Sequence, residues 1–133
     1  MTPEQQKDAD RLQRYIEREQ LYPVMNNTKW REGIDALLSI EGFHVCFRVR
    51  CLRDANDPPM NYWDGSFPYH IPRPFKVIEW LDIDPLMKIH RGHIVAPEIR
   101  DFTAEVIQAL NSKNVPFVQI GDVIRIYGYT RIR

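Results

Sequence analysis

Phe43-His44-Val45-Cys46-Phe47-Arg48-Val49-Arg50-Cys51 is the stretch that decides the fold. Phe43, Val45, Phe47, Val49 and Cys51 fall on one side of an extended chain, and His44, Cys46, Arg48 and Arg50 on the other. Such alternation predicts a strand buried on one face and wetter on the opposite one. Cys46 and Cys51 point to opposite faces, about 16 Å apart at ~3.3 Å per residue, too far for a disulfide. Two unpaired thiols point to a reducing, cytoplasmic setting.

Toward the N-terminus, Trp30, Ile34, Leu37 and Leu38 make one apolar stripe at helical spacing. Asn27 is placed as its N-cap and Gly42 as the residue that closes it. Residues 4–22 are polar, with Leu12, Tyr15 and Ile16 as a thin stripe, and predict a further helix ended by Pro23. Residues 1–24 thus read as a helical extension and 25–133 as a single domain. The N-terminus has neither the basic nor the apolar region of a signal peptide.

Toward the C-terminus, Arg53 to Pro59 reads as a loop. Tyr62-Trp63-Asp64-Gly65-Ser66-Phe67-Pro68-Tyr69-His70-Ile71-Pro72-Arg73-Pro74 has no period, and its prolines predict a stiff, aromatic-rich connector. Phe75 to Ile83 reads as a second strand with blurred alternation, so that Trp80 faces either a covered side or an open one. Asp84-Pro85 turns the chain into an irregular or extended piece, 86–94. Pro97 is placed in the first turn of a helix running to Leu110, with Ile99, Phe102, Val106, Ile107 and Leu110 on one face. Residues 115–120 and 123–129 predict a hairpin across Gly121-Asp122. The order helix-strand-strand-helix-strand-strand predicts an α+β fold, a mainly antiparallel sheet with helices on one face, plus the N-terminal helix.

A chain of 133 residues, 44% hydrophobic and 27% charged, suits one globular domain. Lys+Arg and Asp+Glu both number 18, so no overall field draws the protein to nucleic acid or to a membrane surface. The apolar runs fall far short of the ~20 residues a membrane span needs.

Trp63-Asp64-Gly65-Ser66-Phe67-Pro68-Tyr69-His70-Ile71-Pro72-Arg73-Pro74, followed by Val77-Ile78-Glu79-Trp80-Leu81-Asp82-Ile83, resembles a family of small bacterial proteins known only as a domain of unknown function. The likeness runs from Asn26 to Tyr129. It implies a single domain of the bacterial cytoplasm and no activity, and it carries no catalytic or binding residues.

Three patterns bear on chemistry. His90 and His93, with His70 and Asp64, have ligand types that a metal-dependent hydrolase would use, but two of them sit in an exposed-looking turn. Asp64, Ser66 and His70 have the residue types of a hydrolytic triad, but no second glycine makes a nucleophile elbow. Asp64-Gly65-Ser66 reads more simply as a turn. The alternate sheet face would bring His44, Arg48 and Arg50 to Arg125 and Tyr127, with Lys76 and Trp80 if that side is open. Such a face suits single-stranded RNA, although no RNP-type motif is present.

The remaining reading is a protein-binding surface. Tyr62, Trp63, Tyr69, His70, Arg73, Arg48, Arg50, Trp80, Arg125 and Tyr127 include the types that dominate interface hot spots. The expectation is a small non-catalytic cytoplasmic protein, immunity-type or regulatory, that occludes a toxin or enzyme partner. No cofactor is implied. A metal-dependent hydrolase or RNA-processing protein using the histidines and the basic face is the alternative.

Overall fold

The computed structural model describes residues 2–54, 56–59 and 61–131. Its elements are α1 (Pro3–Arg18), β1 (Leu21–Pro23), α2 (Asn27–Leu38), β2 (Cys46–Cys51), a 3-10 turn (Phe75–Val77), β3 (Ile78–Asp84), β4 (Leu86–Ile89), β5 (Glu98–Asp101), α3 (Thr103–Ser112), β6 (Phe117–Ile120), β7 (Val123–Tyr127) and β8 (Tyr129–Arg131). The fold is α+β, and every strand pairing is antiparallel.

The central sheet has the order β2-β3-β7-β6. Its registers place Phe47 opposite Ile83, Val49 opposite Leu81, Leu81 opposite Ile126 and Ile83 opposite Ile124. These residues form one apolar face. Both α2 and α3 pack there, since Trp30, Ile34, Leu37, Val106 and Leu110 share a core with them. The alternation of β2 therefore reads correctly, with helices on one side of the sheet. The strand begins only at Cys46, because Phe43 leaves the ladder to pack its ring 4.9 Å from Phe102.

Several local expectations are corrected. Asn26, not Asn27, caps α2, its side chain accepting the Lys29 N–H at 2.7 Å. Gly42 does not close that helix. The Ser39 N–H and hydroxyl both reach the Asp35 carbonyl and end it three residues earlier. Phe75 to Val77 form a 3-10 turn, and the second strand starts at Ile78.

The helix expected from Pro97 starts at Thr103 instead. Glu98 to Asp101 pair with β4, and the Asp101 carboxylate accepts both the N–H and the hydroxyl of Thr103. Those two bonds hold the Asp101 carboxyl below its usual range. Ile99, counted in the helix stripe, is 60% exposed in β5. The loop expected over 53–59 is irregular where described; residue 55 lies outside the described residues.

α1 opens with a capping box in which the Thr2 hydroxyl accepts the Gln5 N–H and the Gln5 side chain accepts the Thr2 N–H. No residue of α1 is fully buried. Leu12, Tyr15 and Ile16 rest on a second, smaller cluster of Leu21, Leu52 and Tyr129. β1 pairs with β8 in a two-stranded sheet of their own, which holds the N-terminal segment against the strand that follows β7.

Gly128 links β7 to β8 where the chain crosses β3. Its N–H donates to Glu79 at 2.8 Å and its carbonyl accepts from Val24 at 3.0 Å. A Cβ there would sit 2.2 Å from the Ile78 carbonyl oxygen. Backbone blocks that position on the near side, so only glycine fits without a shift of β3. Gly128→Ala is expected to destabilise the protein by about 1–3 kcal/mol, the range for overpacking. Urea denaturation monitored by tryptophan fluorescence measures it, and an unchanged midpoint would show that the crossing is looser than described.

Candidate functional site

The sheet face turned away from the helices carries Arg48, Arg50, Trp80, Arg125 and Tyr127 as expected, whereas His44 precedes β2 and Lys76 lies in the 3-10 turn. β2 contributes Cys46, Arg48 and Arg50, β3 contributes Trp80, Asp82 and Asp84, and β7 contributes Arg125 and Tyr127. Asp82 stands opposite Arg48 on one neighbour and Arg125 on the other. Arg48 donates from Nε to Asp82 Oδ2 at 2.9 Å. Arg125 takes both oxygens, from Nε to Oδ1 at 2.7 Å and from Nη2 to Oδ2 at 3.1 Å.

Asp82 is fully buried and Arg48 is 3% exposed. Burial works against the Arg125 charge, but Asp82 more than offsets it and raises the guanidinium pKa. Trp80 is buried, yet on this face and not in the core, and Arg125 lies 3.8 Å from its ring centre. Trp63 lies 4.4 Å from Arg48 in the same manner. Each guanidinium is therefore held by a carboxylate at its edge and an aromatic face above it. Asp82 is the residue the sequence reading missed. An aspartate between two apolar neighbours in a strand was the available signal, because an ionised carboxylate is buried only with partners.

Arg50, Trp80, Arg125 and Tyr127 also line an open groove of about 460 Å³. Arg50 is paired there with Glu79, at 2.7 Å, and with Asp57. Burial opposes the Arg50 charge, but these two carboxylates raise its pKa. Arg131 stands 3.7 Å from Glu79. Acidic and basic groups alternate around the groove.

The connector takes the outer edge of β2. Asp64 exchanges two backbone bonds with Phe47, the Asp64 N–H donating at 2.7 Å and the Phe47 N–H at 3.0 Å. The Asp64 carboxylate accepts the Ser66 N–H at 2.8 Å, and its other oxygen lies 2.8 Å from His70 Nδ1. The Ser66 N–H and then His70 hold this carboxyl below its usual value. The His44 ring approaches the same turn, its Nε2 lying 3.1 Å from where a Gly65 side chain would begin. A hydrogen-bonded turn follows, with His70 N–H donating to Ser66 and Ile71 N–H to Pro68.

Phe67 and Ile71 anchor this turn in the core, Phe67 edge-on to Phe47 at 5.5 Å. Tyr69 between them is 88% exposed, and Tyr62 is 57% exposed. Arg73 is exposed and its guanidinium lies 4.6 Å from the Phe75 ring centre. The ten candidate residues thus separate by depth. Arg48 and Trp80 are buried, Trp63, Arg50, Arg125 and Tyr127 half-buried, and Tyr62, Tyr69, His70 and Arg73 exposed.

His70 and Asp64 meet, whereas His90 and His93 sit in the exposed loop 90–97 at the tip of the β4–β5 hairpin. Among the described residues no three His, Cys, Asp or Glu side chains gather to hold a metal ion. Cys46 and Cys51 are half-buried free thiols. Burial raises both pKa values, with Asp84 and Asp64 adding at Cys46 and Asp54 at Cys51. Neither thiol has the environment of an activated nucleophile. Among the described residues no helix is long and apolar enough to cross a membrane.

Two measurements check this geometry. Asp82→Asn takes the carboxylate from the buried Arg48 and the half-buried Arg125 and is expected to cost about 3–5 kcal/mol in urea denaturation. Asp64→Asn removes an acceptor whose folded pKa lies below the ordinary 3.8, so its stabilisation is full above that value and fades as pH falls through the folded pKa. The wild type should melt above the variant at neutral pH by no more than about 1 kcal/mol, given solvent screening. The gap should close in acid, and a gap constant with pH would sever the link to the carboxylate charge.

Comparison with known proteins adds the family. No curated protein and no solved structure matches the chain. The family of unknown function DUF6678 matches residues 12–133, starting inside α1 and running through the connector and both halves of the sheet. The chain belongs to that family of unknown function, DUF6678.

Proposed function

We propose that this protein is a small non-catalytic binding protein that acts on a protein partner, and that the turn around Tyr69 is the contact it offers. The observation that carries this reading is the contrast within five residues. Phe67 and Ile71 are buried anchors, and Tyr69 between them is 88% exposed. An aromatic held out on a turn fixed at both ends binds with little ordering cost. His70, oriented by Asp64, and Arg73, resting on Phe75, flank it with polar groups of the kind found at hot spots.

The protein reading is preferred to nucleic acid for an electrostatic reason. Arg48 and Arg125 share the Asp82 carboxylate and Arg50 holds Glu79 and Asp57, so three carboxylates face these three guanidiniums. Phosphate binding draws on cations that are free to replace counterions. A toxin or enzyme occluded by the exposed turn is the concrete form, in the manner of an immunity or regulatory protein in the cytoplasm.

A second reading rests on the His70 Nδ1 to Asp64 contact of 2.8 Å, which is how a carboxylate orients a general base. It makes the protein a hydrolase or RNA-processing enzyme. Zinc or manganese bound one to one in protein purified without a His-tag would favour it.

The deciding experiment is affinity capture at low salt from the native host, followed by native mass spectrometry and titration of the companion protein. Tyr69→Ala and Arg73→Ala are each expected to weaken that companion at least about tenfold, the scale of a hot-spot truncation. Their melting temperatures should stay near wild type, because both side chains are exposed. Unchanged affinity in both variants would show that the turn is the wrong surface.

A further inference from the structure

The central sheet has two edges, and they are treated differently. The β2 edge is occupied by Asp64 of the connector. The β6 edge carries no such cover among the described residues. Apart from its ladder with β7, β6 makes no backbone hydrogen bond there. Pro116 precedes the strand and its four residues make it short, both of which blunt an edge, but Phe117-Val118-Gln119-Ile120 itself carries no charge and no bulge. Val118 and Ile120 lie on the same face and are 44% and 45% exposed.

The hairpin sets which backbone groups point outward. Gly121 and Asp122 form a two-residue turn between Ile120 and Val123, with Gly121 at φ +58 as a II′ turn requires. The pair closing such a turn exchanges both backbone bonds, and bonded pairs alternate along an antiparallel ladder. Ile120 and Val118 therefore spend their N–H and C=O groups on β7. Phe117 and Gln119 direct theirs away from the sheet.

We propose that β6 is a dimerisation edge at which a second copy of this chain pairs antiparallel about a two-fold axis perpendicular to the sheet. The strand is complementary to itself in one register. Gln119 faces the same residue of the second copy as a bonded pair, and Phe117 faces Gly121. Val118 then lies opposite Ile120 on the outer face, twice, as closely spaced apolar pairs that stabilise a sheet. The result is one eight-stranded antiparallel sheet, with its outer edges closed by the two connectors. A seam of four residues is short, which places the dimer at the weak, concentration-dependent end of specific interfaces. This assembly leaves Tyr69 free and is independent of the partner proposed above.

Sedimentation velocity of the whole chain over a wide concentration range tests the idea, together with amide exchange at the two extremes. The expected result is a shift from 15.8 kDa toward twice that mass, with slowed exchange at Phe117 and Gln119 in the concentrated sample. Gln119→Pro removes the central outward N–H and leaves the bonds to β7 in place, so it should hold the chain monomeric without loss of fold. Val118→Lys should do the same by placing like charges near each other across the seam, and it serves if the proline variant fails to fold. A wild-type chain that stays monomeric at millimolar concentration overturns the proposal. So does a dimer that persists in a folded Gln119→Pro or Val118→Lys variant.

Discussion

The carboxylate of Asp82 sits where three strands meet, and the outer face of the sheet is arranged to keep it there. It lies in the middle of β3, fully buried, with a guanidinium arriving from each neighbouring strand. Burying one charge alone is prohibitive, and burying three is tolerable only when their geometry satisfies one another. The bidentate contact from Arg125, the Nε contact from Arg48 and the two tryptophan faces supply that geometry. A slip of β2 or β7 by one residue would turn the arginines to the core side and leave Asp82 among apolar neighbours. The network thus acts as a register lock as well as a source of stability.

That lock has consequences for the connector. Trp63 is drawn over Arg48, which places Asp64 against the edge of β2, and two backbone bonds then fasten it. From that point the turn at 66–71 follows, with Phe67 and Ile71 reaching into the core and Tyr69 left outside. The exposed tyrosine is linked to the sheet interior through a short run of contacts. Buried anchors lie beneath, and an exposed aromatic and a histidine stand above. The arginines that suggested a basic face are paired with carboxylates, Arg48 and Arg125 with Asp82 and Arg50 with Glu79 and Asp57.

The two sheet edges show a related contrast. One is met by Asp64 of the connector, in a two-bond bridge to Phe47. The other ends in a four-residue strand with apolar outward side chains and unused backbone groups. Covering one edge while leaving the other uncharged separates two surfaces with different chemistry, an aromatic turn and a pairing strand.

The sequence by itself determined the elements whose signal is local. The two-residue period of β2, the Gly121-Asp122 turn and the stripe of α2 each depend on neighbours within a few positions, and each stands as expected except that Leu38, counted in the stripe, is exposed. The α+β class and the one-sided helices follow from the order of those elements. Tertiary structure alone decided what depends on distant partners. Glu98 to Asp101 read locally as the first turn of a helix, and pairing with β4 makes them a strand instead. Trp80 is apolar whichever way it faces, and only the arrival of Arg125 from 45 residues downstream fixes it outside the core. The arginines of β2 read as solvent-facing because alternation gives the side but not what covers it. Burial of Arg48 needed an aspartate from one strand and a tryptophan from the connector, and no local pattern can carry that information.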